Sequence, residues 1–122
     1  MSVRRIVPNL QASQLTDSHE FYTGFLGLNV AMDMGWIVTF VSQTNPAAQL
    51  SVITADQTAP VHPDLTMQVD NIDELYADAV RRGLEIVYPL TDEPWGVRRF
   101  FVVEPHGRVI NLMTHPSAPG SS

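Results

Sequence analysis

Ile6 to Ala12 alternates, with Ile6, Pro8, Leu10 and Ala12 on one side and Val7, Asn9 and Gln11 on the other. A period of two marks a half-buried strand, and Pro8, which has no N–H for a ladder, favours an edge or an interface. The period then changes. Asp17, with Glu20 three residues on, fits a capped helix start, Phe21, Tyr22, Phe25 and Leu26 share one helical face, and Gly27 stops the helix. Strands are predicted next at Leu28 to Asp33, Trp36 to Ser42 and Gln49 to Thr54.

The second half repeats this plan. Leu65 to Val69 reads as a strand, and Asn71 then opens a helix with Glu74 as its capping-box partner. Ile72, Leu75, Tyr76, Ala79 and Val80 keep helical spacing, Arg81 and Arg82 complement the dipole, and Gly83 ends the helix. Strands follow at Glu85 to Leu90, Arg98 to Val103 and Val109 to Thr114, the last two joined by the turn Glu104-Pro105-His106-Gly107. Two strand–helix–three-strand units in tandem predict an α+β fold, with units at about 3–54 and 64–115 in one domain over 1–115. Two prolines mark the link Ala55 to Pro63, and residues 116–122, rich in Pro, Ser and Gly, are expected to form a flexible tail.

Composition narrows the function. The chain has 122 residues, 44% hydrophobic and 16% charged, which suits one compact core. No apolar run approaches a membrane span and no signal-peptide pattern opens the chain, so no membrane partner is expected. The lack of Cys removes disulfides and thiolate metal sites and fits a cytoplasmic setting. A net charge of −6, with 7 Lys plus Arg against 13 Asp plus Glu, argues against a nucleic-acid partner and favours a neutral or cationic ligand. Neither a GxSxG elbow nor a phosphate-cradling glycine loop appears, and no Ser–His–Asp arrangement is evident.

Four segments carry a resemblance: DSHEFYTGFLGL, LTMQVDNIDELYADAVRRG, EPWG ahead of Arg98-Arg99-Phe100, and FVVEPHGRVINL. With the tandem plan they resemble the vicinal-oxygen-chelate superfamily of glyoxalases, extradiol dioxygenases and bleomycin-resistance proteins, over roughly Val3 to His115. The resemblance implies a curved eight-stranded mixed sheet with helices on its convex side. The DELYAD helix, EPWG and Pro8 look most like the bleomycin-resistance branch, whose members are similar homodimers that bind a drug in interface clefts without altering it.

Enzymes of that superfamily hold a divalent metal on the concave face, with His and Glu ligands from the first, fourth, fifth and eighth strands. The matching positions here are Val7, Gln49 or Ser51, Asp64 and Asn111. One carboxylate and neutral amides make a poor first-row metal site. A shifted set of His62, Asp64 and His106 does not promise convergence, because His62 precedes its strand and His106 lies in a turn. The expectation is a metal-free protein without a cofactor that binds a small molecule and has no catalytic residues. The alternative is an enzyme, either a glyoxalase- or dioxygenase-like lyase or isomerase with an atypical metal site or a metal-free acid–base catalyst, for which Asp64 is the first candidate base and Glu104 the second. A third reading is an accessory domain that recognises a protein partner.

Alternation puts Asn9, Gln11, Gln49, Ser51, Thr66, Gln68 and Asn111 on one sheet face and Leu10, Leu50, Val52, Leu65, Met67, Val69, Ile110 and Leu112 on the other. An amide-lined hollow suits a neutral, hydrogen-bonding, peptide-like or aromatic ligand, although the same residues would serve simply to fill a wet groove. The expected ligand-binding set adds Asp64 and Met113, the aromatics Trp36, Phe40, Trp95 and Phe101, and Arg99. Phe100 and Phe101 must face opposite ways, as must Arg98 and Arg99; an interface salt bridge is the expected role for one of the arginines, with a carboxylate on the ligand as the alternative partner. His19 is expected on the solvated side of its helix, and the cleft is expected to be shared between two subunits.

Overall fold

A computed structural model describes residues 2–115, and the predicted tail 116–122 lies outside them. The strands are β1 (Val3–Gln11), β2 (Asn29–Asp33), β3 (Ile37–Val41), β4 (Gln49–Ile53), β5 (Leu65–Val69), β6 (Ile86–Asp92), β7 (Arg98–Val103) and β8 (Val109–Thr114). The helices are α1 (Thr16–His19), continued by a π-helical stretch Glu20–Phe25, and α2 (Ile72–Arg81). All eight strands join one mixed sheet in the order β2-β3-β4-β1-β5-β8-β7-β6, the α+β plan expected from the sequence. The halves meet at its centre, where β1 and β5 run antiparallel, while β1–β4 and β5–β8 are parallel. No helix among the described residues is long and apolar enough to cross a membrane.

The period-two pattern sorts residues to the two faces. Under the first helix, Val38, Phe40 and Val52 are buried with Leu50 and Tyr22 against them. Under α2, Val69, Phe100, Val102 and Ile110 pack against Ile72 and Ala79, with Tyr76 edge-on to Phe100. The opposite face carries the polar positions. One face of the sheet thus supplies both cores, and the other is left free to line a hollow.

Several local expectations are corrected. The first helix is not an ordinary capped α-helix: Leu15 precedes it without a side-chain cap bond, and it widens to π geometry at Glu20. Thr23 explains part of this. Its hydroxyl donates to the His19 carbonyl at 2.5 Å, the acceptor that an α-helix would reserve for the Thr23 N–H. Because the turn is wider, Phe21, Phe25 and Leu26 are exposed rather than buried, and of the four apolar residues only Tyr22 stacks against Phe40. His19 is not simply solvated, since its ring stands edge-on to Phe40 and 3.5 Å from Asp33. At α2, Asn71 is the N-cap residue but makes no side-chain cap bond, so the Glu74 capping box does not form, and Val80 is exposed. Its end matches expectation: Gly83 has φ +70, and Leu84 N–H closes on the Ala79 carbonyl at 3.0 Å.

The Glu104–Gly107 turn also forms as read, with Gly107 at φ +89 and its N–H on the Glu104 carbonyl. Glu104 is a structural acid. Its carboxylate accepts from Arg108 N–H and His106 N–H, and these bonds, Arg108 first, hold it below the usual glutamate range.

Candidate functional site: the hollow on the open sheet face

Ladder register arranges the inward side chains in rows across the sheet. Arg5, Gln68, Met113 and Arg99 form one row. Val7, Thr66, Asn111 and Phe101 form the next. Asn9, Ser51 and Thr39 form a third, in the first half of the sheet. Together with the rim these rows enclose a hollow of about 550 Å³, within the range that small-molecule sites occupy. Its wall draws on both halves of one chain.

Hydroxyls and amides bond to one another along the floor. Asn9 Nδ2 donates to Thr66 Oγ1 at 2.9 Å, Asn111 Nδ2 reaches the same oxygen at 3.3 Å, and the Thr39 and Ser51 hydroxyls are 2.7 Å apart. Asn111 is buried, yet its Oδ1 has no partner. A buried amide oxygen without a donor is expensive, and a ligand donor would relieve it.

One wall is built around Arg99. Its Nε donates to Glu93 at 2.7 Å, an η nitrogen donates to Thr58 at 2.9 Å, and Asp56 lies 3.6 Å away. The side chains of Arg99, Glu93 and Asp56 are 7%, 7% and 4% exposed. Tyr88 adds a hydroxyl bond to Glu93 at 2.7 Å. The guanidinium lies 4.9 to 5.2 Å from the ring centroids of Phe101, Tyr88 and Trp95, a distance at which cation–π attraction operates. Arg99 is therefore occupied by the protein's own carboxylates. Arg98, on the other face, bonds Asp73 at 2.9 Å and Asp92 at 2.8 Å, and these partners, Asp92 first, raise its pKa. Both arginines make ion pairs within the chain, where the sequence reading had one bridging between subunits.

Of the residues singled out from sequence, the structure brings Asn9, Trp36, Gln49, Ser51, Thr66, Trp95, Arg99, Asn111 and Met113 to the wall of the hollow. The others are placed differently. Phe40 is fully buried on the helix side, because its ladder partner Leu50 shares that face while Thr39 points inward. Gln11 lies past the hollow, at a shallow depression with Ala12, Ser13 and Thr54. Gln68 sits in the inward rows without reaching the wall of the hollow, and Phe101 lies beneath Arg99 as a buried floor. Asp64 is turned away: its carboxylate accepts from Val109 N–H at 2.8 Å.

Reading the residues missed Arg5, Asp56, Thr58, Glu93 and Tyr88. Arg5 follows from the same alternation as Val7 and Asn9, but the strand begins at Val3 rather than Ile6. Asp56 and Thr58 come from the link between the halves, for which no periodic signal exists.

The family model for the glyoxalase/bleomycin resistance protein/dioxygenase superfamily matches residues 4–112. The chain belongs to this superfamily. A superfamily member from Vibrio splendidus 12B01 superimposes with a TM-score of 0.70 at 18% identity, covering 93% of this chain and 99% of that one. A Legionella pneumophila protein described as NAD-dependent benzaldehyde dehydrogenase gives 0.69 at 18% identity, with 90% and 98% covered. A single-residue variant of Streptomyces coelicolor methylmalonyl-CoA epimerase, in complex with 2-nitronate-propionyl-CoA, gives 0.68 at 18% identity, with 96% and 98% covered. At such identities the likeness is one of fold. No curated protein matches the sequence.

The metal that the superfamily resemblance implies does not fit these residues. The inward positions of β1, β4, β5 and β8 are Val7, Ser51, Thr66 and Asn111, and the one carboxylate at a matching position, Asp64, is held by a backbone N–H. Hydroxyls and neutral amides are weak donors to a divalent transition ion. Among the described residues no three His, Asp or Glu side chains gather where they would hold one ion.

Proposed function

We propose that this superfamily member binds a small organic molecule in the hollow without a metal and without transforming it, in the manner of the bleomycin-resistance branch. The observation that supports this most is the pairing of an open, largely apolar hollow, whose floor carries hydroxyls and amides, with the lack of metal-binding side chains at its centre. Trp36 lines the hollow, and Trp95, about half exposed at 51%, stands at its rim. Rings in those places offer flat faces to a planar ligand, an interaction of about 0.5–1.5 kcal/mol per aromatic pair beyond buried area. The carboxylates near the hollow are engaged, Asp56 and Glu93 by Arg99 and Asp64 by Val109, so the enzymatic alternative would have to rest on His115, which also lines the hollow.

Thermal unfolding in the presence of bleomycin-type and smaller aromatic amides tests this reading. A ligand at a hundred times its dissociation constant is expected to stabilise the fold by about 2.7 kcal/mol. Unchanged unfolding across the panel would count against sequestration.

The same proposal makes the protein a homodimer. Ile6 and Leu10, 50% and 45% exposed, form an apolar strip with Pro8 on the helix side of the central strand, and Phe25, at 74%, projects from the π-helical stretch. Uncovered apolar residues on a central strand are better explained by a second copy than by solvent. Light scattering is expected to give twice the 13.5 kDa chain mass, whereas 13.5 kDa at all concentrations would count against the dimer.

A further inference from the structure

All seven basic side chains are arginine. Six have a carboxylate: Arg4 has Asp70, Arg81 and Arg82 share Asp78, Arg98 has Asp73 and Asp92, Arg99 has Glu93 and Asp56, and Arg108 has Glu104. Arg5 is the exception. It lines the hollow, no carboxylate among the described residues pairs with it, and its buried Nε has no hydrogen-bond acceptor. Alternation along β1 explains the contrast with its neighbour, since Arg4 points outward to Asp70 while Arg5 shares the inward face of Val7 and Asn9. In a chain with 13 acidic residues, a cation left without one of them inside a cavity is the natural seat for an anion.

We propose that Arg5 receives the carboxylate of the ligand, and that the ligand class is therefore small planar or aromatic carboxylic acids. This rests on reading the hollow as a ligand site, and it departs from the neutral or cationic ligand expected from net charge. A guanidinium presents a planar fork of donors that matches the two oxygens of a carboxylate. Arg99 is a weaker competitor for it, because Glu93 and Asp56 already balance its charge and its Nε and one η nitrogen are bonded to Glu93 and Thr58. Asn111, which also lines the hollow, offers a second contact to a donor elsewhere on the ligand, since its Nδ2 is on Thr66 Oγ1 and its Oδ1 has no partner. The apolar side chains of Met34, Trp36 and Trp95, which also line the hollow, suit the ring.

The test is a titration of nitrogen-15-labelled protein with benzoate, 4-hydroxyphenylacetate and indole-3-acetate, each beside its primary amide. The Arg5 Nε–H resonance is assigned by its loss in Arg5→Met. That variant removes no partner from any other side chain, and Arg5→Lys serves as a second control that keeps the charge. At least one acid is expected to shift this resonance saturably and to bind about tenfold more tightly than its amide, the worth of one charge-assisted hydrogen bond. The preference is expected to vanish in Arg5→Met and to persist, reduced, in Arg5→Lys. Should acid and amide bind equally, both moving the Asn111 side-chain resonances, the inference about Arg5 falls while the hollow stands as a ligand site. Should no compound move either set of resonances, both are overturned.

Discussion

Replacing Arg99 by methionine is expected to destabilise the fold by about 3–5 kcal/mol, read as a fall in the urea unfolding midpoint. The reason lies in what remains after the guanidinium is removed. Glu93 and Asp56 are almost fully buried and would face each other's neighbourhood without a cation. Exposed ion pairs contribute only about 0–1 kcal/mol, so the size of the loss decides whether this cluster behaves as a buried one. Methionine keeps much of the side-chain volume over Phe101 and Tyr88, which limits the packing contribution. Neutralising the carboxylates as well, by adding Glu93→Gln and Asp56→Asn, is expected to recover a large part of the loss. A single-variant effect below about 1 kcal/mol would mean that water reaches the cluster and screens it.

Phe100→Ala is the second large expected effect, a loss of about 3–5 kcal/mol in the same unfolding measurement. Phe100 is 0% exposed and packs among Val69, Ile72, Val102 and Ile110, with Tyr76 edge-on at 4.9 Å between centroids. Removing the ring leaves a void between sheet and helix that these neighbours are too constrained by the ladder to fill. Because Phe100 faces away from the hollow, ligand binding by the folded fraction should be unchanged, which separates it from Arg99. A loss under about 1 kcal/mol would show that α2 can settle onto the sheet and close the gap.

The fold was largely legible because its signals are local. The switch from a period of two to a helical period, the glycines at positions 83 and 107, and the repeat of one plan in both halves each have a physical cause within a few residues. What failed was also physical. The π-helical stretch depends on where the Thr23 hydroxyl bonds, and a reading based on 3.6-residue spacing placed Phe21 and Phe25 on the wrong face. Phe40 was assigned to the hollow on its aromatic character, although its register with Leu50 points the other way. The polar floor was readable from alternation, as Asn9, Ser51, Thr66 and Asn111 show. The Arg99 wall was not, since Asp56 and Thr58 meet Arg99 only after a link without periodic structure folds back across the sheet. Arg5 stands one residue before Ile6, where the readable alternation begins.

Elemental analysis of protein purified without chelator, then dialysed against zinc, nickel, manganese and iron in turn, addresses the central claim most directly. Val7, Ser51, Thr66 and Asn111 offer no imidazole or carboxylate, so less than a tenth of an equivalent of any of these ions is expected to remain on the chain, about the level of adventitious carry-over. One equivalent retained by the chain, and lost on replacing Asn111 by alanine, would contradict the account and return the hollow to metal-dependent catalysis.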